Sequence, residues 1–385
     1  YEDIDSENCY KVFFSMYARD STESLFLYNC SNVNNSIGCV NLRNKSYCVF
    51  NKQYTKEEYN KKLEESGSGS QKKVAEFREK FKEFILKFPR RYAEIVKSVN
   101  ITGHNVHNTR NCQNCFDVYE NAEEGKNLLI AGWELKDTRN SDHVGHKAEL
   151  MYEFLGGGGG ASRIFFSYFC HSSHNIQYSH NCRGSNNLFA CIGLRSKSYC
   201  ILNKQYAKEE YEKLVPRIIE HMNQMPYTDK KGRVYKYGEF FPPELSPFSY
   251  NETIAQEYFP LTKEEALEKG YSWKDPEPRN YQITITNNQI PDHIKDVPDS
   301  ILNEIIECQH QEKCNEQCTQ AFRIIPQELA FLRKMNLPLP RLCPNCRHYQ
   351  RIKQRNPLKL WHRKCMCNGA TSYSSTGSTS SPQAS

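Results

Sequence analysis

Two stretches of this chain are near-copies of one another, and such a duplication restricts the fold to one built by repetition. Residues 34–61 read NNSIGCVNLRNKSYCVFNKQYTKEEYNK, and residues 186–213 read NNLFACIGLRSKSYCILNKQYAKEEYEK. About two thirds of the positions are identical at a constant offset, which chance does not produce. The same offset sets Phe13, Phe14 and Ser15 on Phe165, Phe166 and Ser167, and Cys30 on Cys182. The unit runs over about residues 9–63 and again over about 161–214.

Cysteine recurs inside each copy at nine-residue steps: Cys30, Cys39, Cys48, then Cys182, Cys191, Cys200. Two steps are expected to make one coil of a parallel β-solenoid, with equivalent side chains stacked in ladders. The two copies are expected to stack as coils of one solenoid. Asn-Cys pairs recur at Asn8-Cys9, Asn29-Cys30, Asn111-Cys112, Asn114-Cys115 and Asn181-Cys182. Asn tolerates tight bends and Cys is a small buried hydrophobe, so the pairs read as corners followed by inward-facing stacks. A β-sandwich is the competing architecture.

Each copy ends in a helix. Thr55 and Glu58 have capping-box spacing. A second helix is expected from about residue 72 to 88, with Val74, Phe77, Phe81, Phe84, Ile85 and Phe88 on one stripe packed against the solenoid, and Pro89 ending it. The helix after the second copy should run from about residue 208 to 222, interrupted by Pro216. Residues 66–70 and 156–160 read as flexible low-complexity breaks. The expected fold class is mainly β: duplicated parallel β-solenoid-like repeats with inserted helices, followed by a small C-terminal zinc ribbon. The divisions are 1–65, the first Asn/Cys repeat; 66–100, an amphipathic helical insertion; 101–225, the second repeat region; 226–300, a Pro-rich connector; 301–370, a basic zinc ribbon; and 371–385, a disordered tail.

Composition agrees with a thin repeat layer, since hydrophobic residues are only 38% of the chain. It carries seventeen Cys, an odd count. No apolar run is long enough to span a membrane, and no signal peptide is visible. Several Cys have metal-type spacing, so a reducing cytoplasm with thiolates and zinc is favoured over a disulfide framework.

The strongest such spacing is Cys314-x3-Cys318 followed, beyond a helix starting near Pro326, by Cys343-Pro-Asn-Cys346. Two Cys pairs on separate turns supply the four soft ligands of a tetrahedral zinc, and four protein ligands leave no open position for catalysis. Cys308 and His310 are close enough in sequence to substitute for one ligand. His362, Cys365 and Cys367 resemble half of a second ribbon without a partner pair. Three His pairs share one spacing, His104/His107, His143/His146 and His171/His174, and read as solvated loop residues; Cys112-x2-Cys115 reads as a structural corner. No phosphate loop is present, because residues 156–160 lack a following Lys-Ser/Thr.

The net charge of +6 is concentrated near the ribbon. Arg347, Arg351, Lys353, Arg355, Lys359, Arg363 and Lys364 lie just beyond the Cys343–Cys346 turn, and Glu328 is the only acid between Arg323 and Lys364. Such a segment points to a polyanion.

The stretches LRNKSYCVFNKQYTKEEY, GEFFPPELSPFSYNETIAQEYFPLTKEEA and LRKMNLPLPRLCPNCRH resemble a family of zinc-ribbon, Cys-rich repeat proteins from candidate-phyla bacteria. The resemblance covers most of the chain and implies repeated Asn-Cys coils followed by ribbons; it implies no activity. It also implies further coils before Tyr1 and a completed second ribbon after Cys367, where this chain instead continues in a Ser-rich segment. Together these readings lead to a non-enzymatic zinc-binding protein with a solenoid surface. Its basic ribbon is expected to bind nucleic acid, RNA rather than DNA, or an acidic protein. The rival readings are a scaffold that recruits proteins along the solenoid and a carbohydrate-active β-helix enzyme.

Overall fold

The computed structural model describes residues 1–277, 279–311 and 313–362. The protein is mainly β, with long parallel sheets. In the first sheet the parallel strands lie between Tyr10–Phe13 and Cys48–Val49. The second has eleven strands, from Ile95–Val96 to Lys204–Gln205. Strands pair at a step of about one dozen residues along the chain: Tyr10 with Thr22 and Leu25 with Ile37 in the first, Lys126 with Arg139 and Ser162 with His174 in the second. The chain thus climbs on itself in coils. Asn29 donates its side-chain amide to Asn41, 12 residues on, and Asn127 to Asn140, 13 residues on.

These coils are shorter than the nine-residue Cys step suggests. The backbone enters the left-handed region at nearly every third residue, as at Asn29, Asn32, Asn35, Asn41 and Asn44. Each such residue is a corner, and the residue after most of them points inward: Cys30, Val33 and Ser36 are each no more than 1% exposed, while Lys45 in the last coil is exposed. Left-handed backbone is costly for most L-residues and least so for Asn, which accounts for Asn at the corner and Cys after it. Nine residues is therefore one coil short of one side. Successive Cys sit on neighbouring sides of adjacent coils, with Cys30 Sγ 3.4 Å from the Cys39 carbonyl and Cys191 Sγ 3.3 Å from that of Cys200. Inward-facing Ser are also satisfied: Ser24 Oγ donates to the Thr22 carbonyl and accepts from Ser36 N–H. The inside of the first solenoid is a narrow core of mostly small side chains with Leu27 among them, while the second also encloses Leu128, Met151, Phe154 and Ile164. Inward-facing polar groups in both are closed by local hydrogen bonds.

The two copies do not continue one solenoid; each terminates its own sheet. The duplicated motif is the terminus. After Cys48–Val49 the chain reverses into Lys52–Gln53, and after Ser198–Ile201 into Lys204–Gln205, both antiparallel. Asn51 donates to the Val40 carbonyl and accepts from Val40 N–H; Asn203 does the same with Ile192. These amides stand in for the strand that a further coil would have provided. A helix then covers the end: α1 (Lys56–Ser66) places Tyr59 against Tyr47 with ring centres 5.7 Å apart. After an intervening α2 (Gln71–Ile85), α3 (Lys208–Gln224) places Tyr211 against Tyr199 at 5.8 Å. A covered end cannot accept another coil, so the copies cannot stack.

Local expectations fare unevenly. The capping box at Thr55 is present, and α2 packs Phe77 on Phe26 and Phe50. Pro216 does not interrupt α3. Of residues 66–70, Ser66 ends α1 and the others form the turn to α2, with Gly67 left-handed and Ser70 capping α2. Residues 156–160 are not a break: Glu149–Gly158 is a regular strand, and Gly158 pairs with Gly145. A Cβ on Gly158, at φ +139°, would lie 1.7 Å from the Gly145 carbonyl oxygen, so the glycines there serve close strand approach.

The chain after α3 carries the short helices α4 (Ala255–Tyr258) and α5 (Lys263–Glu268). It leans on the second solenoid through the Tyr237 hydroxyl, which donates to Gln177 Oε1 at 2.8 Å. Further on it forms α6 (Pro326–Met335) and α7 (Pro344–Ile352). One apolar core runs from the outer face of the first solenoid (Phe13, Phe26, Ile37) through α2 to Ile294, Ile306, Leu329 and Leu332.

Candidate metal centre

The floor of that core is sulfur. Cys308, Cys318, Cys343 and Cys346 are all buried, and their Sγ atoms lie within 4.8 Å of one another, so the group could hold a metal ion. A two-stranded hairpin makes the first half. Ile306–Glu307 pairs antiparallel with Ala321–Phe322, and Cys308 N–H donates to the Gln320 carbonyl. This pairing, invisible in the Cys spacing, draws Cys308 up to Cys318. The second half is the start of α7: Cys343 is its N-cap, Pro344 opens its first turn, and Cys346 N–H points at Cys343 Sγ at 3.5 Å. Pro suits the first helical position because its missing N–H would be unsatisfied there anyway.

The group differs in one member from the set read from spacing. Cys314 lies beside it, half-buried, with its Sγ 3.8 Å from that of Cys346, while Cys308 Sγ is 3.9 Å from the same sulfur. Zinc–thiolate bonds of about 2.3 Å imply a tetrahedral sulfur–sulfur edge of about 3.8 Å, close to both separations. His310, the other substitute, lies with Cys314 and Glu316 on the Cys346 side. The Cys343 thiol is held well below its ordinary pKa, chiefly by its hydrogen bond with Cys308, whose own pKa is driven up. Burial raises Cys346 and Cys314. Cys343 also caps the positive end of α7, a position that favours a thiolate.

The basic residues beyond Cys346 are mostly engaged by acids from distant parts of the chain. Arg347 Nη1 is 2.9 Å from Glu328, and Arg351 is 3.8 Å from Glu2. Lys353 pairs with the buried Glu316. Arg355 lies 2.9 Å from Asp117 of the second solenoid and 3.8 Å from Asp5 of the first. Lys359 sits over the Trp361 ring at 5.8 Å. Arg363, Lys364, Cys365 and Cys367 lie outside the described residues, and His362 is exposed at their edge.

The remaining motifs settle into the coils. Cys112 and Cys115 are fully buried inside the second solenoid, following the left-handed corners Asn111 and Asn114. Among the described residues the three His pairs join no converging group of metal ligands. His104 Nδ1 accepts from Glu94 N–H, His146 stacks on Trp133, and His174 meets Ser162. Among the described residues no helix is long and apolar enough to cross a membrane.

No family model matches this chain, and no curated protein matches it. Among solved structures, a UDP-N-acetylglucosamine acyltransferase from Campylobacter jejuni aligns over 63% of this chain and 98% of its own, at 10% identity and a TM-score of 0.10. A likeness at that level carries no argument.

Proposed function

We infer that the protein is a non-enzymatic scaffold in which a zinc-organised C-terminal module holds two β-solenoids in a fixed relation and leaves their sides to recruit a protein partner. The observation that carries this is the position of the four-thiol group: it is buried in the same core as the outer face of the first solenoid and α2. Four cysteine sulfurs favour a soft or borderline ion, and zinc is the usual occupant of such a set. Cys308, Cys318, Cys343 and Cys346 would hold it, with no position left for substrate. The buried acids Asp117, Asp229 and Glu316 each pair with a cation.

Purified protein should carry zinc, and Cys318→Ser should lose it. Chelation should expose the chain after residue 280 to protease, because metal affinity at such a site is folding energy. Metal-free protein with an unchanged cleavage pattern would overturn the reading.

A second reading, a nucleic-acid grip with RNA preferred, draws support from Lys359 beside the half-exposed Trp361, with Arg363 and Lys364 following in sequence. Aromatic and cationic groups in alternation suit irregular RNA. Lys359→Glu should then weaken binding to mixed RNA at low salt, and the salt slope should fall by roughly one contact. If the unmodified protein binds neither RNA nor DNA at low salt, the nucleic-acid reading falls and the scaffold reading stands.

A further inference from the structure

A second set of metal donors adjoins the four thiols. His310 Nδ1, Cys314 Sγ, a Glu316 carboxylate oxygen and Cys346 Sγ lie within 4.8 Å of one another. Glu316 is 3% exposed. Its Oε2 faces His310 Nδ1 at 3.1 Å, yet both atoms are buried and, among the described residues, neither makes a hydrogen bond. A buried carboxylate oxygen and a ring nitrogen left so are costly, and a cation between them would satisfy both.

We propose that this is a second metal site, binding a zinc ion through His310, Cys314, Glu316 and Cys346, with the Cys346 thiolate bridging the two ions. The proposal rests on the four-thiolate reading for the first ion. One imidazole, two thiolates and one carboxylate form a mixed set that suits zinc. The Cys314–Cys346 sulfur separation of 3.8 Å is already that of a tetrahedral edge. A divalent ion among four thiolates leaves a net negative centre, which attracts a second cation, and a thiolate sulfur keeps lone pairs with which to bridge. Lys353 holds the other Glu316 oxygen, which orients Oε2 toward the ion.

Native mass spectrometry of the full chain, reconstituted with zinc, tests this. The unmodified protein should hold two ions, and His310→Ala with Glu316→Gln should hold one. In the unmodified protein loaded with cadmium-113, two resonances should appear, coupled to each other through the shared sulfur; this readout needs no variant to fold. One ion in both proteins would overturn the second site and leave the four-thiolate site standing. Two ions in the double variant would place the second ion elsewhere and overturn it equally. No ion in the unmodified protein would remove both readings. Loss of every ion in the double variant, with Cys308→Ser keeping one, would make the His310 set the sole site and remove the bridge.

Discussion

Among the described residues, Arg355 is the one side chain that pairs with acids on both solenoids, and Arg355→Met removes it. The guanidinium lies 2.9 Å from Asp117 and 3.8 Å from Asp5, over the Tyr258 ring. At an effective dielectric of about 20, each contact is worth roughly 4–6 kcal/mol of raw attraction. Desolvation offsets much of that, and removing one partner of a buried pair costs about 3–5 kcal/mol, because the other charge is left uncompensated. Arg355 is 24% exposed and Asp5 35%, so water screens part of the effect. We expect a loss of about 2–3 kcal/mol at pH 8. The cost should depend on pH. Burial already raises the Asp5 pKa while Arg355 lowers it, so the variant raises it further. A carboxyl whose folded pKa is raised contributes stability below its unfolded value of about 4 and loses it as pH rises through the folded value. The deficit should therefore shrink as pH falls from 8 toward 5. Urea titrations at both pH values, combined with Asp117→Asn in a double-mutant cycle, measure it. A change under about 0.5 kcal/mol at both pH values would refute the idea that Arg355 ties the solenoids together. The same contact makes Arg355 a poor probe of nucleic-acid binding, since its loss disturbs the fold.

Asn51→Ala should destabilise the first solenoid by about 2–4 kcal/mol in urea titration, from two lost hydrogen bonds and a left-handed backbone that Ala disfavours. Gly158→Ala should be far more disruptive than Gly193→Ala by thermal melting, since only the first meets backbone, while nothing lies within 4 Å of the second. His104 has its pKa lowered by burial and accepts a backbone N–H on Nδ1. Its contribution is complete above the unfolded value of about 6.5 and is lost as pH falls toward the lower folded value. His104→Gln should flatten stability against pH over that window, as read by urea midpoints.

The repetition was legible in the residues because a coil needs the same side chain at the same place on each turn. The Asn-Cys pairs named the corner and the inward step correctly. The coil length was not legible from the Cys. They fall on neighbouring sides of successive coils, and their nine-residue step mixes one coil with one side. The period-three burial of Ser, Ala, Cys and Val would have exposed it. The most conspicuous repeat, KSYC to KEEY, looked like coil and is the cover at each solenoid's end; its reversal and its helix are long-range packing that similarity between copies does not express. At the candidate centre, Cys318, Cys343 and Cys346 were readable as turns. Cys308 was placed by a hairpin with Ala321–Phe322, a pairing set by burial of Ile306 and Phe322 in the shared core. The basic segment shows the same division. Its charges were plain in the sequence, but their partners Glu2, Asp5 and Asp117 come from distant parts of the chain, and only the folded backbone brings them together.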